Sequence, residues 1–196
     1  ALHLMGEILY RQRRYKQALG YLNLAIATSP HHFFLNTRAN VLMEMGLLME
    51  AQQDLQRAIK QVPDYAEAYI NLSAVYRQQK KFRLAREAAA TATRLMPDSP
   101  AAWNNAAAID MEQGRFDEAI SLFEHALQLM PGFTPAYKNI GKIRVHQNYW
   151  DLALAPLEKA AADKSDMETQ YLLARAYRLH RRFEDAVPPL QLAMRN

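Results

Sequence analysis

Apolar residues recur along the chain three and four positions apart, in blocks broken by short polar turns. That spacing predicts amphipathic α-helices throughout. Pro30, Pro63, Pro97 and Pro131 each close such a block, and they stand 33, 34 and 34 residues apart. A proline just past a helix stops it, because it donates no backbone hydrogen bond and its ring clashes with the preceding turn. A fixed period of this size means stacked repeats.

Numbering each unit so that its proline takes position 32 brings the other positions into register. Position 8 is then Gly6, Ala39, Ser73, Ala107, Gly141 and Ala174. Position 20 is Ala18, Ala51, Ala85, Ala119, Ala153 and Ala186, and position 27 is Ala25, Ala58, Ala92, Ala126, Ala160 and Ala193. Large residues hold position 17 (Tyr15, Leu48, Phe82, Phe116, Trp150, Phe183) and most of position 24 (Leu22, Leu55, Ala89, Phe123, Leu157, Leu190). The pattern predicts helix A over positions 1–14, a short turn, and helix B over positions 17–30. Small residues let the two axes approach closely, and large neighbours fill the space around the contact. One hairpin cannot bury its apolar face alone, so neighbours must stack. The predicted fold class is an all-α solenoid of about six helix-turn-helix repeats in a single array, at 1–31, 32–65, 66–99, 100–133, 134–166 and 167–196.

These residues resemble the tetratricopeptide repeat, whose period is about 34 residues. The fourth unit carries Trp103, Ala107, Gly114, Phe116, Ala119, Phe123, Ala126 and Pro131, and the third carries Tyr69, Leu72, Tyr76, Phe82, Ala85, Ala92 and Pro97. The fourth departs from the family pattern at Ala107, where glycine is preferred, and at Asp110, where tyrosine is. The resemblance implies a right-handed superhelix whose A helices line a concave groove. It also implies that positions 2, 5, 6, 9, 12 and 13 face that groove and that the partner is a protein or peptide.

Composition narrows the chemistry. The 196 residues include no cysteine and only six glycines, which excludes disulfide scaffolds, thiolate zinc sites and cysteine nucleophiles. His3, His31, His32, His125, His146 and His180 form no metal-binding pair at helical spacing, and no catalytic constellation or nucleotide loop is present. The expectation is a binding protein, not an enzyme, with no cofactor and no metal. No apolar run reaches the length of about 18 residues needed to span a membrane. The net charge is +4. The basic clusters around Arg11–Arg14 and Arg178–Arg182 fall mostly at A–B turns without interleaved aromatics, so a nucleic-acid partner is not expected.

The groove positions supply the candidate site. Position 6 is Leu4, Thr37, Asn71, Asn105, Asn139 and Leu172, and Asn36, Asn40 and Asn104 lie at positions 5 and 9. An amide both donates and accepts, so a ladder of them can hold an extended peptide backbone or spend itself on solvent and neighbouring groups. The ladder resembles that in the repeat region of O-linked N-acetylglucosamine transferases. Lys138 and Lys142 at positions 5 and 9 of unit 5, with Arg175 and Arg178 at positions 9 and 12 of unit 6, make the later groove basic and suited to acidic groups. The carboxylate clamp that grips chaperone tails is not reproduced in order. Phe33, Met43, Ile70, Met111 and Tyr171 offer apolar anchors.

Four further expectations follow. Asp110 and Arg144, charged where other units place Leu or Tyr, should pair across the fourth and fifth units, since an unpaired buried charge is expensive. Pro156, Pro188 and Pro189 should kink their B helices. Unit 5 carries Ser165 in place of the proline, so the array should be less regular there. The incomplete first and last units read as a segment of a longer protein. Two other functions are compatible: the substrate-recruiting arm of a larger enzyme, such as a glycosyltransferase or sulfotransferase, and a scaffold that self-associates through uncapped ends.

Overall fold

A computed structural model describes residues 1–162 and 164–194; Asp163 of the fifth expected unit, and Arg195 and Asn196 of the sixth, lie outside the described residues. Among the described residues every element is helical. The elements are α1 (Leu2–Arg11), α2 (Tyr15–Thr28), α3 (His32–Glu44), α4 (Leu48–Gln61), α5 (Ala66–Gln78) and α6 (Phe82–Leu95). They continue with α7 (Pro100–Glu112), α8 (Phe116–Leu129), α9 (Thr134–His146), α10 (Trp150–Ala160), α11 (Met167–Leu179) and α12 (Phe183–Ala193). The A helices end at position 13 and the first four B helices span positions 17–30, within one residue of the sequence reading. No helix among the described residues is long and apolar enough to cross a membrane. The chain divides into two compact units, Ala1–Ile109 and Asp110–Asn196.

Packing follows the small-residue register. Every residue at positions 8 and 20 is buried, and so is every residue at position 27 except Ala193. The tightest contacts involve the two glycines at position 8. A Cβ on Gly6 would lie 2.6 Å from Leu22 Cγ, and one on Gly141 would lie 2.6 Å from Leu157 Cδ2. The third hairpin divides the same space differently, with Ser73 facing a B helix that carries Ala89; both are buried.

Each A–B turn is closed by one residue in the left-handed region: Arg13, Gly46, Lys80, Gly114, Asn148 and Arg181, all at position 15, with φ between 58° and 76°. The following N–H reaches back to position 11 in every turn, as in Leu47 N to Leu42 O (2.9 Å) and Tyr149 N to Arg144 O (2.8 Å). These bonds satisfy carbonyls that the helix end would otherwise leave open. Left-handed backbone is strained for residues with a Cβ, so Arg13, Lys80 and Arg181 sit there at a cost that Gly46 and Gly114 avoid.

Pro156, Pro188 and Pro189 lie inside α10 and α12, which continue through them. The array is less regular before Ser165, as expected: α10 stops at Ala160, three positions before the other B helices up to α8. One expectation changes. Asp110 does not pair with Arg144. Asp110 takes Arg115 from its own A–B turn, while Arg144 donates to Gln147 at 3.1 Å. A partner five residues along the chain serves the charge with no inter-repeat geometry to satisfy.

The sequence reading missed a buried ion pair. Asp54 on α4 is 3% exposed and accepts two bonds from Arg38 on α3, at 2.6 and 2.7 Å. Arg38 also donates to Asn23 on α2 at 2.8 Å, so one guanidinium ties three helices together.

Two stability predictions follow from these contacts. Gly141→Ala should destabilise the chain by about 1–2 kcal/mol, overpacking against Leu157 outweighing the gain in helix propensity. In a Leu157→Ala background, itself costing about 2–5 kcal/mol, the same change should become stabilising; urea melts of the four proteins measure the sign reversal. Arg38→Ala should cost about 1–3 kcal/mol by leaving the Asp54 carboxylate only its 3.7 Å contact with Arg57, and Arg38→Ala/Asp54→Ala should cost less than the single change.

Candidate functional site

In the first unit the expected amide ladder is partly internal. Asn71 Nδ2 donates to Asn36 Oδ1 at 2.9 Å, one repeat back. Asn105 Nδ2 points the same way, to Ile70 O at 3.5 Å. Asn36 is only 7% exposed and also engages the hydroxyl of Tyr65, whose pKa is raised to about 12 by burial first and Glu67 second. Asn36 is therefore a structural anchor and not an accessible groove contact. Asn71 and Asn105 remain half-buried on the A helices, and their Oδ1 atoms have no protein partner among the described residues. Asn40 and Asn104 are half-buried on α3 and α7. Asn104 has a partner of its own, as has Asn139 in the second unit.

Aromatic residues flank the start of this surface. His3 stacks on Phe34 at 4.6 Å between centroids and lies 5.0 Å from Phe33. The Thr37 hydroxyl donates to Phe33 O, so the 2.9 Å contact between His3 Nε2 and Thr37 Oγ1 places the hydrogen on Nε2. Burial holds the imidazole below the usual histidine range. Phe33 stays exposed.

In the second unit the four expected cations separate into two kinds. Lys138 contacts Asp166 at 2.6 Å and Glu168 at 3.1 Å, and Lys142 contacts Glu168 at 2.8 Å. These lysines join α9 to the start of α11 and are already neutralised, so they are not open sites for acidic groups. Asp166 is also the N-cap of α11: it accepts the Thr169 backbone N–H at 3.3 Å and the Thr169 hydroxyl at 2.8 Å. The odd junction around Ser165 thus places a capping carboxylate where it also holds Lys138. The Asp-x-x-Thr spacing at 166–169 was the available sequence signal.

Arg175 and Arg178 are exposed and have no carboxylate partner among the described residues. Arg175 lies over the Trp150 ring, 5.1 Å from its centroid. Beside Lys142, Met111, Phe116, Ile143 and His146 line a cavity of about 480 Å³, with the Phe116 and His146 rings 4.9 Å apart. The expected anchor Met111 therefore opens onto a pocket. Among the described residues no group of three His, Asp or Glu side chains could hold a metal.

The paired cluster gives a pH prediction. Burial opposes charge on Lys138, but the hydrogen bonds it donates to Asp166 and Glu168 outweigh it and hold its pKa above the usual value. Asp166 is also opposed by burial and is held low by Lys138 and Thr169; Glu168 is held low first by Lys142. The depressed carboxylates stabilise the fold above their unfolded pKa of about 4, and that contribution is lost as pH falls through their lower folded values. The raised lysine stabilises the fold below about 10.4, and that contribution is lost as pH rises through its higher folded value. Comparing thermal melts of the wild type and Lys138→Met/Lys142→Met should show a difference that is constant near neutrality and closes below about pH 4.

The comparisons agree with the repeat fold. Two tetratricopeptide repeat family models match residues 42–109 and 100–133. A curated relative, the TPR repeat-containing thioredoxin TTL4 of Arabidopsis thaliana, is 33% identical over 72 residues, 36% of this chain and 11% of that protein. Solved structures share the fold. The thermophilic TPR protein TTC0263 of Thermus thermophilus superposes with a TM-score of 0.81 at 21% identity, over 89% of this chain and 96% of that one. The Cut9-Hcn1 hetero-tetramer of the APC/C gives 0.87 at 17% identity, over 98% of this chain and 39% of that one. PilF of Pseudomonas aeruginosa gives 0.77 at 17%, over 98% and 89%.

Proposed function

Because the chain belongs to the tetratricopeptide repeat family, whose repeats mediate protein–protein interaction, we propose that it is a binding scaffold taking an extended segment of a partner protein along its A-helix faces. The observation that carries the reading is the set of pinned amides. Asn71 and Asn105 each spend an N–H on the preceding A helix and keep a carbonyl oxygen for a ligand. An acceptor already fixed by its neighbour loses little entropy when a peptide N–H arrives. Asn139 holds the same repeat position on α9 of the second unit. Phe33 and the cavity at Met111 take apolar side chains, and Arg175 and Arg178 attract acidic ones.

A second reading has one observation in its favour. The curated relative is named as a thioredoxin that contains these repeats, and the matched stretch is a small part of it. Repeats of this kind can serve as the recruiting arm of a larger protein whose chemistry lies elsewhere. The residues flanking this chain in its full gene product distinguish the two.

An extended-peptide library measured against the wild type and Asn105→Ala/Asn139→Ala should show affinity falling about tenfold, close to the worth of one hydrogen bond. Adding Asn71→Ala should weaken binding again, and it should also lower the melting temperature because Asn36 loses its donor. Unchanged affinity in the triple variant removes the ladder from the mechanism while leaving the scaffold role intact.

A further inference from the structure

The first compact unit separates its charges between two edges. Its A–B turns lie along one edge and its B–A junctions along the other. Residues 11–17 hold four cations and no acid, and residues 77–83 again hold four cations and no acid. The junctions at 28–33, 61–67 and 95–101 hold Asp64, Glu67 and Asp98, and neither Lys nor Arg. Between the two basic turns, residues 45–49 are uncharged, and Leu47 and Met49 there are 36% and 56% exposed.

The three turns make one continuous surface. Arg13, Arg14, Lys16 and Met45 line a shared cleft. Gln79 Nε2 donates to Leu48 O at 3.3 Å and lies 3.6 Å from Met49 Sδ, joining the third turn to the second. Arg11 and Arg83 pair with Glu7 and Glu87 on their own helices. Arg13, Arg14, Lys16 and Lys81 are exposed and have no carboxylate partner among the described residues. The acids beside the apolar turn are Glu44, which accepts from the Tyr15 hydroxyl at 3.3 Å, and Glu50 in the first turn of α4. Two cations stand where the backbone resists them. Arg13 and Lys80 hold the left-handed turn position at φ 59°, which Gly46 fills without strain in the turn between. A hairpin tip is not a stacking face, so this edge stays open whichever hairpins adjoin it.

We propose that this edge docks the protein on a membrane surface rich in anionic lipid. Arg13, Arg14, Lys16, Lys80 and Lys81 meet the headgroup phosphates, and Leu47 and Met49 enter the boundary between headgroups and acyl chains. Long cationic side chains hold their charge in the headgroup layer while a short apolar tip goes deeper. Each Lys or Arg near such a surface strengthens binding about fivefold. A nucleic acid would leave Leu47 and Met49 without a role, and the neighbouring aromatics Tyr15 and Phe82 are packed against their hairpin cores, away from any base. The surface lies apart from the amide ladder, and neither depends on the other.

The test is flotation of the intact chain with vesicles of phosphatidylcholine alone and of phosphatidylcholine mixed two to one with phosphatidylserine. Binding should be confined to the mixed vesicles. Arg13→Gly/Lys80→Gly should weaken it about 25-fold, while the melting temperature holds or rises because left-handed strain is relieved. That split separates a membrane role from a structural one. Met49→Trp should add emission that shifts to the blue with mixed vesicles and is quenched by lipids brominated on their acyl chains, above the background of Trp103 and Trp150. No binding to mixed vesicles, binding indifferent to Arg13→Gly/Lys80→Gly, or an unquenched Met49→Trp overturns the proposal. Binding to a single-stranded oligonucleotide as tight as to the mixed vesicles, and lost in the same glycine variant, assigns the edge to nucleic acid and overturns it equally.

Discussion

Everything in this chain depends on how closely two helix axes can approach within one hairpin. The side chains at positions 8, 20 and 27 set that distance, and where it is smallest nothing larger than a hydrogen fits. With the axes that close, van der Waals contact is dense and the large residues at positions 17 and 24 have walls to pack against. The apolar stripe left over on each hairpin is then narrow and regular, and only a similar hairpin matches it. Stacking is a consequence of that approach and needs no separate cause.

Polar groups were added where the apolar lattice leaves room. Arg38 and Asp54 are the clearest case, a bidentate pair shielded from water and shared with a third helix through Asn23. Such a pair contributes little net energy against an apolar replacement of the same shape, but it punishes any packing that separates its members. In a stack of near-identical hairpins, where alternatives differ by small amounts, that penalty helps select one arrangement. The bonds from Asn71 to Asn36 and from Lys138 to Asp166 join successive A helices in a comparable way.

The fold was legible because it is periodic: four prolines and eighteen small residues agree on one register. Helix limits at the A–B turns followed to within a residue because positions 13 and 17 flank a turn with fixed backbone needs. The site was less legible, and for a physical reason. Periodicity says which face a residue occupies but not whether its polar atoms are already spent. Asn36 and Asn71 look alike in sequence, yet one is buried beneath the other. Lys142 and Arg175 share a repeat position, and only the carboxylate at the start of α11 separates a structural cation from an open one. The Asp110–Arg144 expectation failed similarly, because a nearby arginine in the turn was a cheaper partner than a distant one.

The unequal division of space at position 8 reaches beyond stability. Where Gly6 and Gly141 have yielded all their volume to Leu22 and Leu157, the third hairpin has given a serine to one helix and an alanine to the other. Each pair of helices therefore carries a matched fit that neighbouring pairs do not share. A recombination that duplicates or exchanges a whole hairpin inherits a solved fit, while one that moves a single helix inherits half of two different ones. The unit of descent in such an array is the hairpin, and its boundaries fall in the B–A connections, outside the A–B turns.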